Sequence, residues 1–353
     1  MFKVQSIIKI LVLSCFIVLI ACKKEEKVKI HHWQLQSQAL ASSIDYIELE
    51  MFAKNVAEMS EGRLVITPYP AGQLAHGPDI FNAVSQNDVQ MGNGWPNWWS
   101  AQHPSWAIMN AGPFDFMNLD ASMMFFLAKE GTQLANELSL SKGVLWRPAW
   151  WAGMEFGLAS TSPIMGLDDL KGKKVRIGPG LPSEVLAEAA GSFSIPLVPE
   201  EIRPSLQNGS LDAVEWTTTT GILDLGLHDL SSNAIVPAIW QPSVLADFLI
   251  NKQAYDLLSP SLKAILETAI KSYTLTTTFK AKAKDIESLV KIKNSGMTLR
   301  TWSDEDIERW KIASDKVTSE YKRHDDFSKQ LIEKKQDFKQ RYDEYYELFG
   351  SYE

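Results

Sequence analysis

The chain has 353 residues, 45% of them apolar and 22% charged, an ordinary globular composition that can bury sizeable cores and, at about 150 residues per domain, suggests roughly two of them. Its net charge is -8 and its pI about 5.4, with no basic block, which argues against a nucleic-acid partner because phosphate binding needs clustered Lys and Arg. The 2 cysteines, Cys15 and Cys22, both lie near the start, so the rest of the chain offers no disulfide, zinc finger or cysteine nucleophile.

Lys3 and Lys9 precede an apolar run from Ile10 to Ala21, which stops at "LIAC" and is followed by the charged "KKEEKVK". A basic start, a short apolar stretch and a small-residue cleavage site ending in Cys resemble a bacterial lipoprotein signal over 1–22. That resemblance implies that Cys22 becomes the lipid-modified first residue of a mature protein held at a membrane surface, with 23–28 as a tether. The run is shorter than the roughly 20 residues that span a bilayer.

"IHHWQLQSQAL" alternates as a strand over about Lys29 to Gln36. Ile44, Ile47, Met51, Phe52, Val56 and Met59 recur at helical spacing up to a stop at Gly62. "RLVITPYP" reads as the next strand, followed by a short helix from near Pro78 and a strand at Val89 to Gly92. A second unit of the same kind starts at "KGKKVRIG": Val175 and Ile177 as strand, Pro182 to Ala190 as helix, "IPLVP" as strand, "EEIRPSLQNG" as helix, Leu211 to Trp216 as strand. The alternation of strand and helix predicts parallel pairing in an α/β sheet. "FNAVSQNDVQMGNGWPNWW" and "RPSLQNGSLDAVEWTTTT" share a layout, a short helix ending at Gln-Asn and a strand opening into Trp and polar residues. Two such lobes suggest a ligand held between strand ends.

One long helical tract follows, with Ser259 as N-cap, Pro260 in its first turn and Gly296 as its stop. "MTLRTW" reads as a strand, and "SDEDIERW" opens a helix with acidic residues where the helix dipole favours them. In the last segment Leu331, Phe338, Tyr342, Tyr345 and Phe349 form one stripe, which either docks on the chain's own lobes or meets a second copy.

Enzyme signatures are mostly absent. The 6 histidines form no HExxH pair, no Ser lies in a G-x-S-x-G elbow, and neither "GKKVRIGPG" nor "AGQLAHG" has phosphate-loop or dinucleotide spacing. Arg176, flanked by apolar residues in "VRI", either makes a structural salt bridge or offers its planar fork of donors to a ligand carboxylate. Glu155 in "WAGMEFG" and Glu215 in "DAVEW" sit among apolar residues and need a cation or a partner.

Taken in order, "YPAGQLAHGPDIFNAVSQNDVQMGNG", "LDDLKGKKVRIGPG", "SLQNGSLDAVEWTTTTGILDLGLHDLS" and "QPSVLADFLINKQAYDLL" resemble the substrate-binding subunit of tripartite ATP-independent periplasmic (TRAP) transporters, over about Trp33 to Trp310. The Glu-Trp of "DAVEW" is similar to the branch that binds 2-oxo and 2-hydroxy monocarboxylates with a metal ion. The resemblance implies an α/β, two-lobed periplasmic binding protein fold, with parallel or mixed sheets flanked by helices, a long helix spanning the lobes and a C-terminal helical extension. Its lobes would cover 29–151 and 152–238, with a return to the first lobe over 239–310 and terminal helices over 311–353. It also implies that Arg176 clamps the substrate carboxylate and that Glu155, Glu215, Gln241 and Trp216, the last through its backbone oxygen, surround the metal. Gln36, Asn93, Asn97 and Trp98 would line the other lobe. The implied partners are a small organic acid such as pyruvate or lactate and the membrane subunits of a permease.

Glu155 departs from the branch, which usually has Gln there. Glu155, Glu215 and a monocarboxylate sum to -3 against +1 from Arg176, and such charges repel strongly in a dry cleft. A divalent cation restores neutrality, and an oxygen-rich set suits Ca²⁺ better than Na⁺. The competing reading is a protonated or lobe-bridging Glu155. Two other functions stay open: the same fold with an aromatic acid, sugar acid or polyol, which the 12 tryptophans would suit, and a metal-dependent hydrolase or lyase using Glu155 and Glu215 as acid and base.

Overall fold

The computed structural model describes residues 29–110 and 112–350. The lipoprotein-like signal, Cys22 and the tether of 23–28 lie outside the described residues. Among the described residues, no helix is long and apolar enough to cross a membrane.

In chain order the strands are β1 (His31–Ser37), β2 (Leu64–Tyr69), β3 (Met91–Gly94), β4 (Val144–Gly153), β5 (Leu158–Ser160) and β6 (Lys174–Arg176). They continue as β7 (Phe193–Ile195), β8 (Ala213–Glu215), β9 (Asn233–Val236), β10 (Val244–Asn251) and β11 (Thr298–Thr301). The helices of the first half are α1 (Ile44–Met59), α2 (Ile80–Ser85), α3 (Trp106–Met109), α4 (Leu119–Ala128) and α5 (Gly131–Leu140). Next come α6 (Leu181–Ala190), α7 (Pro199–Gln207), α8 (Thr219–Asp224) and α9 (Lys252–Asp256). The last three are α10 (Pro260–Asn294), α11 (Asp304–His324) and α12 (Asp326–Phe349).

Two mixed sheets form two lobes, with strand orders β2-β1-β3-β10-β4 and β11-β9-β5-β8-β6-β7. The internal likeness of the sequence has a structural counterpart. Parallel strands β2-β1-β3 and β7-β6-β8 each place the first strand of the unit between its second and third, joined through α1 and α2 or α6 and α7. β3 begins later than the alternation predicts, because the N–H groups of Gln86, Asp88 and Val89 turn back to carbonyls of α2. β7 stops ahead of Pro196, which has no N–H to extend the ladder.

The chain crosses between the lobes at 154–157 and returns at 237–243. Gly157 has φ +129°, and a Cβ there would lie 2.1 Å from the Ile235 carbonyl oxygen, so only glycine lets the two crossovers approach. Ala238 N–H donates to the Glu155 carbonyl at 3.1 Å and ties them together.

α10 starts where expected, its Ser259 side chain accepting from Leu262 N–H, and packs on β4, α1 and α8, so it spans both lobes. The 239–310 stretch is not confined to the first lobe: β10 joins the first sheet, but β11 pairs with β9 in the second. On α12, Leu331 and Tyr342 are buried and Phe338 packs on Phe116 and Phe125, whereas Tyr345 and Phe349 are exposed.

Candidate binding site between the lobes

Arg176 ends β6 and Glu215 ends the adjacent β8, so the sheet register delivers a cation and a carboxylate side by side. Val175 and Val214 face the lobe core, and the strands emerge from it with these polar groups still buried. Arg176 Nη1 donates to Glu215 Oε2 at 2.9 Å and to the Glu215 carbonyl at 2.7 Å, while Nε and Nη2 share the Leu197 carbonyl. The guanidinium also lies 4.8 Å from the centre of the Trp216 ring, a cation–π distance. Gly178 N–H gives Glu215 Oε2 a further bond at 3.2 Å.

Glu155, in the first crossover, and Gln241, in the second, line the same cavity as this pair. Burial first, and then the nearby Glu215 carboxylate, push the Glu155 carboxyl well above the usual carboxylate range, against the opposing pull of Arg176. With no further cation beside it, this environment favours the protonated form of Glu155. Glu155 Oε2 and Gln241 Oε1 are buried without a hydrogen-bond partner, an uncommon expense for two oxygens in one cavity. Among the described residues no group of three or more His, Cys, Asp or Glu gathers. Two carboxyl groups and an amide oxygen are nevertheless the hard donors that Na⁺ or Ca²⁺ takes, and the two orphaned oxygens fit such an ion.

The first lobe supplies the opposite wall through Trp95, Asn97, Trp98 and Asn110. Asn97 Nδ2 donates to the Pro179 carbonyl at 2.9 Å, a bond from one lobe to the other. Asn110 Nδ2 donates to Asn97 Oδ1 at 3.3 Å, and Asn110 Oδ1 accepts from Leu245 N–H. Behind them Lys335 of α12 is buried, donating to the Ile108 and Asn110 carbonyls and pairing with Asp115. The terminal helix thus braces the loop that carries Asn110.

Of the expected site residues, Glu155, Arg176, Glu215, Trp216, Gln241, Asn97 and Trp98 converge on one cavity. Asn93 does not line it: its amide is held by Ser37 and the Asp247 carbonyl, and it borders an adjoining chamber. Gln36 lines neither space, because its side chain fastens the 70–74 turn, donating to the Pro70 carbonyl and accepting from Leu74 N–H. The threonines after Trp216 bind the spanning helix: Thr218 Oγ1 and Thr220 N–H both donate to Asp285 Oδ1, and Thr219 Oγ1 to the Asp285 carbonyl. Between strand and helix Thr217 has φ +34°, and it lines the cavity beside Trp216. Asn110, Gly178 and Val244 also line it and were missed by the sequence reading. Only Asn110, a lone amide between Met109 and Ala111, carried a visible signal.

Residues 36–324 match the DctP family, described as bacterial extracellular solute-binding protein, family 7. The monocarboxylate 2-oxoacid-binding periplasmic protein of Nostoc sp. is 28% identical over 311 residues, 88% of this chain and 84% of that protein. A TRAP periplasmic solute-binding protein of Pseudoalteromonas atlantica, solved with bound sodium and pyruvate, has a TM-score of 0.85 at 24% identity, covering 90% of this chain and 96% of that one. Another from Colwellia psychrerythraea, with bound calcium and pyruvate, has the same TM-score and identity, covering 91% and 97%. The chain belongs to the DctP family of TRAP solute-binding proteins, extracytoplasmic receptors that bind a substrate for transport and do not transform it.

Proposed function

We propose that the chain captures a 2-oxo or 2-hydroxy monocarboxylate, such as pyruvate or lactate, together with a metal ion, and presents it to the membrane subunits of a TRAP permease. The observation that carries this reading is the buried Arg176 facing two carboxyl groups and two unpartnered oxygens in one small cavity. Arg176 is the carboxylate-binding group, with Trp216, Asn97 and Trp98 enclosing the acid. Glu155, Glu215, Gln241 and the Trp216 carbonyl are the metal's donors.

Four of the five N–H groups of Arg176 are engaged, so a carboxylate gripped by two parallel bonds requires Glu215 to release one. A cation competing for Glu215 therefore favours substrate binding, and the two ligands should bind cooperatively. Charge balance links the ion to one proton. Arg176, Glu215 and a neutral Glu155 sum to zero, so a monocarboxylate needs one more positive charge: Na⁺ if Glu155 keeps its proton, Ca²⁺ if it loses it. The carboxylate in place of the branch's usual Gln favours calcium.

Tryptophan fluorescence titrated with pyruvate and lactate, before and after chelation and again with Ca²⁺ or Na⁺ restored, tests this reading. Saturable binding lost on chelation and regained with an ion supports it; no response to either acid under any ionic condition overturns it.

A further inference from the structure

Lys335 is a costly residue to bury. It lies on α12, beyond the stretch 36–324 that matches the family, and is 5% exposed. Leu331 and Ile332, on the same face of the helix, are apolar, so docking α12 does not by itself call for an ammonium there. All three N–H donors of the ammonium are spent on one loop: Nζ donates to the Ile108 and Asn110 carbonyls at 3.0 Å each and pairs with Asp115. α3 has only 4 residues and Asn110 is its C-cap, so these carbonyls are ones that a helix end leaves open. Lys335 thus caps α3 from 225 residues along the chain. With every donor committed, it acts on a bound acid only through that loop.

The cap holds one end of a line of amides. Asn110 Oδ1 accepts from Leu245 N–H on β10, and Asn110 Nδ2 donates to Asn97 Oδ1 at 3.3 Å. Asn97 Nδ2 crosses to the second lobe, donating at 2.9 Å to the carbonyl of Pro179, in the loop that follows Arg176. Both amides stand on the cavity wall. An amide offers a donor or an acceptor according to which way it turns, so its fixed neighbours decide what the wall presents to a ligand. α11, joined to α12, packs on α6 of the second lobe, so the same extension holds both sides of the Asn97–Pro179 contact.

Resting on the proposed organic-acid site, we infer that Lys335 is a positioning residue for substrate: by capping α3 it sets the Asn110–Asn97 pair at the cavity and against the second lobe. The terminal helix is thereby part of recognition.

The test is calorimetric titration of the full chain with pyruvate and with lactate, in buffer holding both calcium and sodium. The parent is compared with K335M, N110A, the double variant and Y342F. Met keeps the apolar stem and removes the donors; K335Q, shorter but still polar, replaces K335M if thermal melts show it unfolded. Y342F removes the bond from the Tyr342 hydroxyl to Asp120 Oδ2, loosening the same helix without touching the loop. K335M and N110A should each weaken acid binding about tenfold, and the double variant about as much as N110A alone. Y342F should melt lower and bind like the parent. Parent-like affinity in the folded Lys335 variant, losses that multiply to about a hundredfold in the double variant, or an equal loss in Y342F overturns the inference and leaves the acid site standing. Failure of both Lys335 variants to fold makes the residue one of stability alone and overturns the inference too. No binding of either acid by the parent removes the underlying site, and the inference with it.

Discussion

Arg176 Nη1 lies 2.9 Å from Glu215 Oε2, with both side chains almost wholly buried, at the ends of paired strands. A charge pair withdrawn from water this far is held by geometry, and removing one member leaves the other without compensation. R176A should cost about 3–5 kcal/mol in urea unfolding and abolish binding of the organic acid. R176K keeps the charge but not the planar fork, so calorimetry should show affinity reduced on the order of a hundredfold with a smaller loss of stability.

Burial first, and then Glu215, raise the pKa of Glu155 and favour its neutral form where no further cation is bound. Gln mimics that neutral form, so E155Q should leave unfolding free energy in metal-free buffer within about 0.5 kcal/mol of the parent. Its ligand binding should lose its calcium dependence and be supported by sodium. In the parent, calcium must displace the Glu155 proton, so calcium-supported binding should weaken as pH falls through the raised pKa, and that slope should vanish in E155Q. Titrations in the two ions across pH check both statements.

Asp285 joins the spanning helix to the strand end through Thr218, Thr219 and Thr220, and to Lys282. D285A strands buried donors and should destabilise the chain by about 2–3 kcal/mol. D285N, which keeps one acceptor, should cost less. Denaturant midpoints of the two variants, compared at one pH, decide the matter.

Asp247 in β10 accepts the indole N–H groups of Trp99 and Trp146 at 2.8 and 2.7 Å, beneath the turn that carries Asn97 and Trp98. Burial raises its pKa from 3.8 to about 7. Between these values the unfolded chain is ionised there and the native chain is not, so folding takes up a proton. Asp247 therefore favours the native state less and less as pH rises from 3.8 to about 7, and the penalty then stays constant. D247N should remove this contribution and be more stable than the parent above about pH 7, by up to a few kcal/mol. Urea unfolding of both proteins at several pH values measures the difference in slope.

The amino-acid sequence by itself determined what depends on near neighbours. Ser259, Pro260 and Gly296 bracket α10, Ser303 and three acidic residues open α11, and the two repeated units announce matching strand orders. Arg176 and Glu215 were expected at one site from the family resemblance, whereas the strand ends that bring them side by side came from the fold. Tertiary structure decided what each buried polar group does. Gln36 and Asn110 are both amides among apolar neighbours, yet the fold ties Gln36 to a turn 34 residues away and sets Asn110 in the cavity wall. The threonines of "TTTT" could have met a ligand, and the fold gives three of them to Asp285, 65–67 residues along the chain. Helix caps and strand periods are settled within a few residues, whereas the partner of a buried donor is settled by which distant segments pack against it.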